Sequence, residues 1–193
     1  MIRGIYDWTM AWAAHRYASA VLAVVAFVES SVFPIPPDVL LVPMVLAERA
    51  KAWAYAIICT VASVLGGLLG YAIGALFFET VAQPVLAAYG YSDAFTEFTQ
   101  RYNAWGAWIV FIAGVTPFPY KVITIASGAT GLALPVFIVA SILSRGLRFF
   151  IVAGLLWWIG PPARAFIEKR LGLLFALFCA LLVGGFVVVR WIA

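Results

Sequence analysis

Charge is what this chain has least of. Lys, Arg, Asp and Glu make up 10% of its 193 residues, against 66% hydrophobic, and the mean hydropathy is +1.08. Soluble domains carry about 25% charged and roughly 45–50% apolar residues, so the composition lies well outside their range. Histidine is down to His15 alone, which leaves a histidine-based metal site or a Ser/His/Asp triad without its parts. The two cysteines, Cys59 and Cys179, lie inside long apolar stretches and read as small packing residues, so neither a disulfide nor a metal pair is expected. The run Ser127-Gly128-Ala129-Thr130-Gly131 lacks a trailing Lys-Ser/Thr and a preceding strand, which argues against nucleotide binding. A cleavable signal is missing too: 1–17 mixes Arg3, Asp7, His15 and Arg16 with aromatics, without a basic-then-apolar order. No tail or linker is long enough to form an extramembrane domain. These absences leave an integral membrane protein of one domain, for which no cofactor, no metal and no enzymatic activity are expected.

Of the charge that remains, twelve basic residues outnumber eight acids, for a net +4. In short membrane loops such residues serve orientation and attraction to anionic lipid rather than nucleic-acid binding.

The apolar pattern has four to six segments, two of them broken by proline. Residues 18–28 are cut off by Glu29, and 39–47 follow Pro34, Pro36, Pro37 and Asp38. At about 1.5 Å per residue each arm reaches half of a 30 Å core or less. Prolines remove backbone donors and forbid continuous helix, so 18–47 reads as a re-entrant hairpin, with a single kinked span as the alternative. Residues 104–134 repeat the pattern: a short apolar arm, a break at Thr116-Pro117-Phe118-Pro119-Tyr120-Lys121, and a return arm rich in small residues. Each hairpin precedes a full span, 53–78 and 135–160, and a last span covers 171–190. Residues 1–17 read as an interfacial helix with Trp8 and Trp12 on one face. The polar and aromatic stretch 79–103 reads as a linker loop plus an interfacial helix. The expected fold is therefore an all-α integral membrane protein with two inverted re-entrant hairpins, each followed by a transmembrane helix. Gly66, Gly70 and Gly74, with Ser63 near the same face, make a groove for close helix approach.

Loop charge orients this plan. Arg3 and Arg16, Arg49 and Lys51, and Arg164, Lys169 and Arg170 share one side only if each hairpin returns to its side of entry. The positive-inside rule then puts the N-terminus in the cytoplasm, makes the hairpins enter from opposite faces, and brings their tips together.

A hydrocarbon interior tolerates neither broken backbone nor bare charge unless protein or a water-filled cavity surrounds it. Two such interruptions suggest a polar site near the bilayer midplane, the plan of secondary transporters. Glu29 and Asp38 flank the first break and are candidates for proton coupling. The plain alternative is that they sit at an interface or cap a half-helix, Asp38 being well placed for a first turn. Arg145 lies ten residues past Pro135, about 15 Å deep, with Arg148 on the same face. With Lys121 they are candidates to bind an anionic headgroup, or to form structural ion pairs with Glu29 and Asp38. Thr116, Tyr120, Thr124 and Ser127, with Thr130, either line a pathway or satisfy backbone freed by Pro117 and Pro119.

At these residues a family resemblance appears. The stretch from Glu29 through Phe33-Pro34-Ile35-Pro36-Pro37-Asp38, the helix Gly66–Gly74 and the block Thr116–Gly128 resemble the DedA superfamily, its YqaA-like branch in particular, whose wider group includes eukaryotic VTT-domain proteins. The resemblance implies a bacterial cytoplasmic-membrane protein with opposed hairpins. It also implies movement of lipid between leaflets, of undecaprenyl phosphate or phospholipid, dependent on the proton-motive force. The family's essential acids match Glu29 and Asp38. Its essential arginines fall around the second proline motif, where this chain departs: Lys121 takes the later basic position and Thr116 the earlier, leaving Arg145 and Arg148 to supply positive charge. The expected function is a proton-coupled flippase for an anionic lipid, with membrane lipids and protons as partners and a homo-oligomer left open. A non-transporting scaffold for envelope integrity and a small-cation exchanger are the rivals.

Overall fold

Proline sets where several of the helices begin. The computed structural model describes residues 17–32, 36–116 and 118–160, and among them every regular element is helical. Helix α1 (Ala18–Ser31) stops at the first break, and α2 (Asp38–Ala47) starts directly after Pro36 and Pro37. Pro37 has φ −64°, already helical, and its missing N–H falls where a helix has no use for one. Asp38 in the first turn meets the positive end of the helix dipole. A 3₁₀ turn (Arg49–Lys51) leads into α3 (Ala52–Phe77), which continues through a π turn (Phe78–Ala82) into α4 (Gln83–Tyr89). Gly90, left-handed at φ 74°, ends that run. Helix α5 (Ser92–Val115) reaches the second break, α6 (Tyr120–Ala129) starts just past Pro119, and α7 (Leu134–Ile159) carries Pro135 in its first turn.

Among the described residues two helices are long and apolar enough to cross a membrane: the run Arg49–Tyr89 and α7. Each exposes a large apolar face, Ile57, Val61, Leu65, Leu69 and Ile73 on α3 and Val139, Leu143, Leu147, Ile151 and Leu155 on α7. Continuous faces of that kind are suited to lipid rather than water. Helices α1, α2 and α6, of 14, 10 and 10 residues, span only about 21, 15 and 15 Å.

The stretch 79–103 differs from the loop plus interfacial helix read from its polarity. It is helical on both sides of a tight turn at Gly90 and Tyr91, and the arm 104–115 is the end of a 24-residue helix rather than a short element of its own. The cause is an aromatic face: Phe78 stacks on Phe95 at 4.5 Å, Phe95 meets Phe98 at 6.0 Å, and Phe98 meets Tyr102 at 5.8 Å. The expected interfacial helix over 1–17 falls outside the described residues but for Tyr17. The expected span over 171–190 falls outside them entirely, as do Pro34 and Pro117.

Helix α3 is the hub, packed against α1, α6 and α7, while α5 lies on α7. The return arms cross over: α6 packs on α3 of the first half, and α2 leans on α7 of the second. The α3–α6 seam is reciprocal. A Cβ at Gly74 would collide with the Ile125 carbonyl, and one at Gly128 with the Tyr71 carbonyl. Gly66 likewise admits the Phe27 carbonyl of α1. Two apolar clusters result, one around Leu22, Leu41, Met44, Cys59 and Phe149, the other around Tyr102, Val110, Tyr120 and Phe137. Along α7 they are separated by Ser141, Ser144, Arg145 and Arg148.

Candidate functional site

That interval on α7 is the polar layer of the molecule. Arg145, 1% exposed, is the largest fully buried side chain among the described residues. Its Nη2 donates to Glu29 Oε2 at 2.7 Å and its Nε to Ser63 Oγ at 2.6 Å. Ser63 Oγ lies 2.6 Å from Ser30 Oγ, which donates to Glu29 Oε2 at 3.1 Å. Each hydroxyl has one proton. Ser63 accepts from Arg145, so its proton goes to Ser30, and that of Ser30 goes to Glu29. The result is a closed ring, Arg145 to Ser63 to Ser30 to Glu29 and back, drawn from α1, α3 and α7. The rings of Tyr120 and Phe149 flank the guanidinium, each centroid 4.8 Å from Cζ, and Tyr120 donates to Ser141 Oγ at 2.5 Å.

A second pair lies beside the first. Arg148 Nη2 donates to Asp38 Oδ2 at 2.5 Å, and Nη1 to the Thr116 carbonyl at 3.2 Å, at the end of α5. The side chains are 17% and 25% exposed, so this pair is the wetter one. The two breaks touch as well. Lys121 Nζ approaches the Val32 carbonyl at 3.4 Å, and the Thr124 hydroxyl faces two carbonyls, Lys121 of its own helix at 2.9 Å and Ser30 at 3.2 Å.

Glu29, Asp38, Arg145 and Arg148 therefore come together, as their chemistry requires, with Lys121 at the edge against the first break. Tyr120, Thr124 and Ser127 are buried, each with a protein partner, Ser127 Oγ lying 3.0 Å from Tyr102 Oη. Thr116 contributes its carbonyl to Arg148, and its own hydroxyl reaches the Ala113 carbonyl at 3.5 Å. Pro36, Pro37 and Pro119 sit at the breaks, and Gly66, Gly70 and Gly74 on buried faces of α3, Gly70 against Thr124. Ser30, Ser141 and Ser144 escape a reading of the sequence. Ser141 and Ser144 carry a weak signal, each standing four residues before an arginine on the same helix face, whereas Ser30 carries none.

Two buried valences stay open. Arg145 Nη1 and Asp38 Oδ1 are sealed from solvent without a hydrogen-bond partner. Such atoms are the places where a water or a ligand oxygen is accommodated. Among the described residues no three His, Cys, Asp or Glu side chains converge as metal ligands.

Comparison with known proteins agrees with this architecture. The VTT domain model matches residues 35–157. An uncharacterized protein of Haemophilus influenzae is 38% identical over 168 residues, covering 86% of each chain. An uncharacterized protein of Histophilus somni is 38% identical over 167 residues, covering 86% of this chain and 87% of that one. No solved structure matches. With the domain model spanning well over half its length and its apolar faces laid out for lipid, the chain belongs to the VTT-domain family, the DedA/SNARE-associated group of membrane proteins.

Proposed function

We propose that this membrane protein moves an anionic lipid, an undecaprenyl phosphate or a phospholipid, between bilayer leaflets under proton coupling. In this reading Arg145, Arg148 and Lys121 hold the phosphate, and Glu29 and Asp38 exchange the proton. The observation that supports it is the pair of arginine–carboxylate contacts, drawn from three helices, with one donor and one acceptor left open. A guanidinium fork that fits a carboxylate also fits a phosphate. A proton taken up by Glu29 cancels the charge that holds Arg145, and the arginine turns to the headgroup. The Ser63–Ser30 chain keeps the acid hydrogen-bonded during the exchange. A ligand must bind one state better than the other to shift their populations, and phosphate does so if it competes with the carboxylates.

The short helices α1, α2 and α6 fit re-entrant hairpins that enter from opposite faces of a bacterial inner membrane, with the N-terminus cytoplasmic and the breaks near mid-depth. No enzymatic step and no metal belong to the mechanism.

The test is flip-flop of a fluorescent anionic lipid in proteoliposomes under a proton gradient. Glu29→Gln and Arg148→Gln should fold and reduce the gradient-driven rate at least tenfold. Full activity in both variants refutes the assignment. Folded variants of a wild type that moves no lipid, but retains partners in a detergent pull-down, would point to a scaffold instead.

A further inference from the structure

A cavity of about 560 Å³ opens where the continuation of α3 turns back into α5. Glu79, Gln83, Ser92, Thr96, Thr99 and Gln100 give it polar walls, and residues 128–131 line it from the end of α6. Beside it Thr99 Oγ1 and Asn103 Oδ1 are sealed without a partner, although Asn103 Nδ2 donates to the Thr130 carbonyl at 2.8 Å.

From that end, hydroxyls continue inward. Thr130, Ser127, Thr124 and Tyr120 follow one another at steps of three or four residues, and none is more than 5% exposed. Local backbone satisfaction accounts for Thr130, whose hydroxyl returns to the Ala126 carbonyl of its own helix. It does not account for Ser127, which bonds Tyr102 of α5, while Thr124, bonded to the Lys121 carbonyl of its own helix at 2.9 Å, also lies 3.2 Å from the Ser30 carbonyl of α1. At the inner end Ser30 donates to Glu29, and Arg145 Nη1 and Asp38 Oδ1 wait with open valences. A row of buried hydroxyls with unfilled hydrogen-bonding capacity at both ends is the chemistry that ordered water satisfies.

We infer that the cavity and the hydroxyl face of α6 form a water path linking the 79–103 side of the protein to Glu29. The inference deepens the transport reading by supplying the proton's route, and rests on that reading only for the proton. The path narrows beyond residue 128, where α6 is packed on α3. Gly74 and Gly128 bring backbone to backbone at the outer part of that seam, and Thr124 seats against Gly70 further in, so a small slide of α6 along α3 has only this one short side chain to shift at Gly70 to admit water. The charged groups around its inner end are Arg145 and Arg148 of α7, Asp38 of α2 and Lys121 of α6.

The experiment uses full-length protein in liposomes, with Cys59→Ala and Cys179→Ala, carrying Thr130→Cys, Ser127→Cys or Thr124→Cys singly. A cationic methanethiosulfonate reagent is added from one side at a time. The control is Ala153→Cys, 0% exposed in the apolar cluster. Reaction should slow from position 130 to 127 to 124, stay at least tenfold faster than the control at all three, and come from one side only. Rates at 127 and 124 no faster than the control, or equal from both sides, overturn the path. Should a substitution unfold the protein, hydroxyl-radical footprinting of the unsubstituted chain decides: Tyr102 and Tyr120 oxidise several-fold faster than Phe149 if water reaches them, and equally slowly if it does not. The same series in a Glu29→Gln background separates the two ideas. Reactive cysteines in a protein whose wild type shows no proton coupling sustain the path and sink the carrier reading.

Discussion

The first half of the chain supplies the acids of the buried centre, Glu29 on α1 and Asp38 on α2, while the second supplies the bases, Arg145 and Arg148 on α7. Neither half is electrically complete without the other, so docking the halves is also what neutralises them. The two pairs are unequal. Glu29–Arg145 is closed into a ring with Ser30 and Ser63 and flanked by two aromatic rings, whereas Asp38–Arg148 is partly wetted and leans on one carbonyl. The seams differ too: α6 is held to α3 by glycines on both sides, and α2 rests on α7 over a smaller contact. On the transport reading proposed above, a headgroup would enter on the Asp38 side, where the looser seam lies beside the wetter pair.

The largest break in that comparison comes from removing the sealed cation. Arg145→Leu leaves Glu29 uncompensated and should destabilise the protein by about 3–5 kcal/mol, the range for one partner of a buried pair. Arg148→Leu should lose less, about 1.5–3 kcal/mol for hydrogen bonds to a charged group. Thermal unfolding in detergent orders the two, and equal losses would erase the distinction between a sealed and a wetted pair. Adding Glu29→Leu to Arg145→Leu should restore most of the loss, since the orphaned charge goes with it; an additive double mutant would mean the two side chains do not interact.

The seams sharpen the contrast at smaller magnitude. Gly128→Ala forces a Cβ into the Tyr71 carbonyl and should destabilise by about 1–3 kcal/mol. Gly146→Ala meets only Thr60 Cγ2 at 3.7 Å and should stabilise by up to about 1 kcal/mol through helix propensity. Similar effects at both sites would show that the α3–α6 contact is not a packed seam. Smallest of all is Lys51→Ala. Its pair with Glu48 is 58% and 49% exposed, and its loss should leave the unfolding midpoint unchanged within error.

Much of this was legible in the chain. The spans over 53–78 and 135–160 come out at Ala52–Phe77 and Leu134–Ile159, because length and hydropathy alone decide them. The breaks were legible because proline acts locally, and the meeting of Glu29 and Asp38 with the two arginines because charge on an apolar helix has few other places to go. The stretch 79–103 was not. Its helices are held by the ladder from Phe78 to Tyr102, spaced across a turn that the hydropathy profile does not see. The serines were missed for a related reason. A serine on an apolar helix is silent until its neighbour is known, and Ser30 and Ser63 acquire their role only from Arg145, 82 residues beyond Ser63.

Composition and proline placement by themselves determined that this is a helical membrane protein with two interrupted segments and a surplus of charge that must be sheltered. Which acid takes which arginine was decided only by the tertiary structure. Hydropathy and backbone breakage are properties of single residues and their neighbours, whereas an ion pair needs two side chains, more than a hundred residues apart here, to arrive at one point. Their arrival depends on how closely α1 and α6 approach α3, and that closeness is set by the glycines at 66, 74 and 128 meeting particular carbonyls.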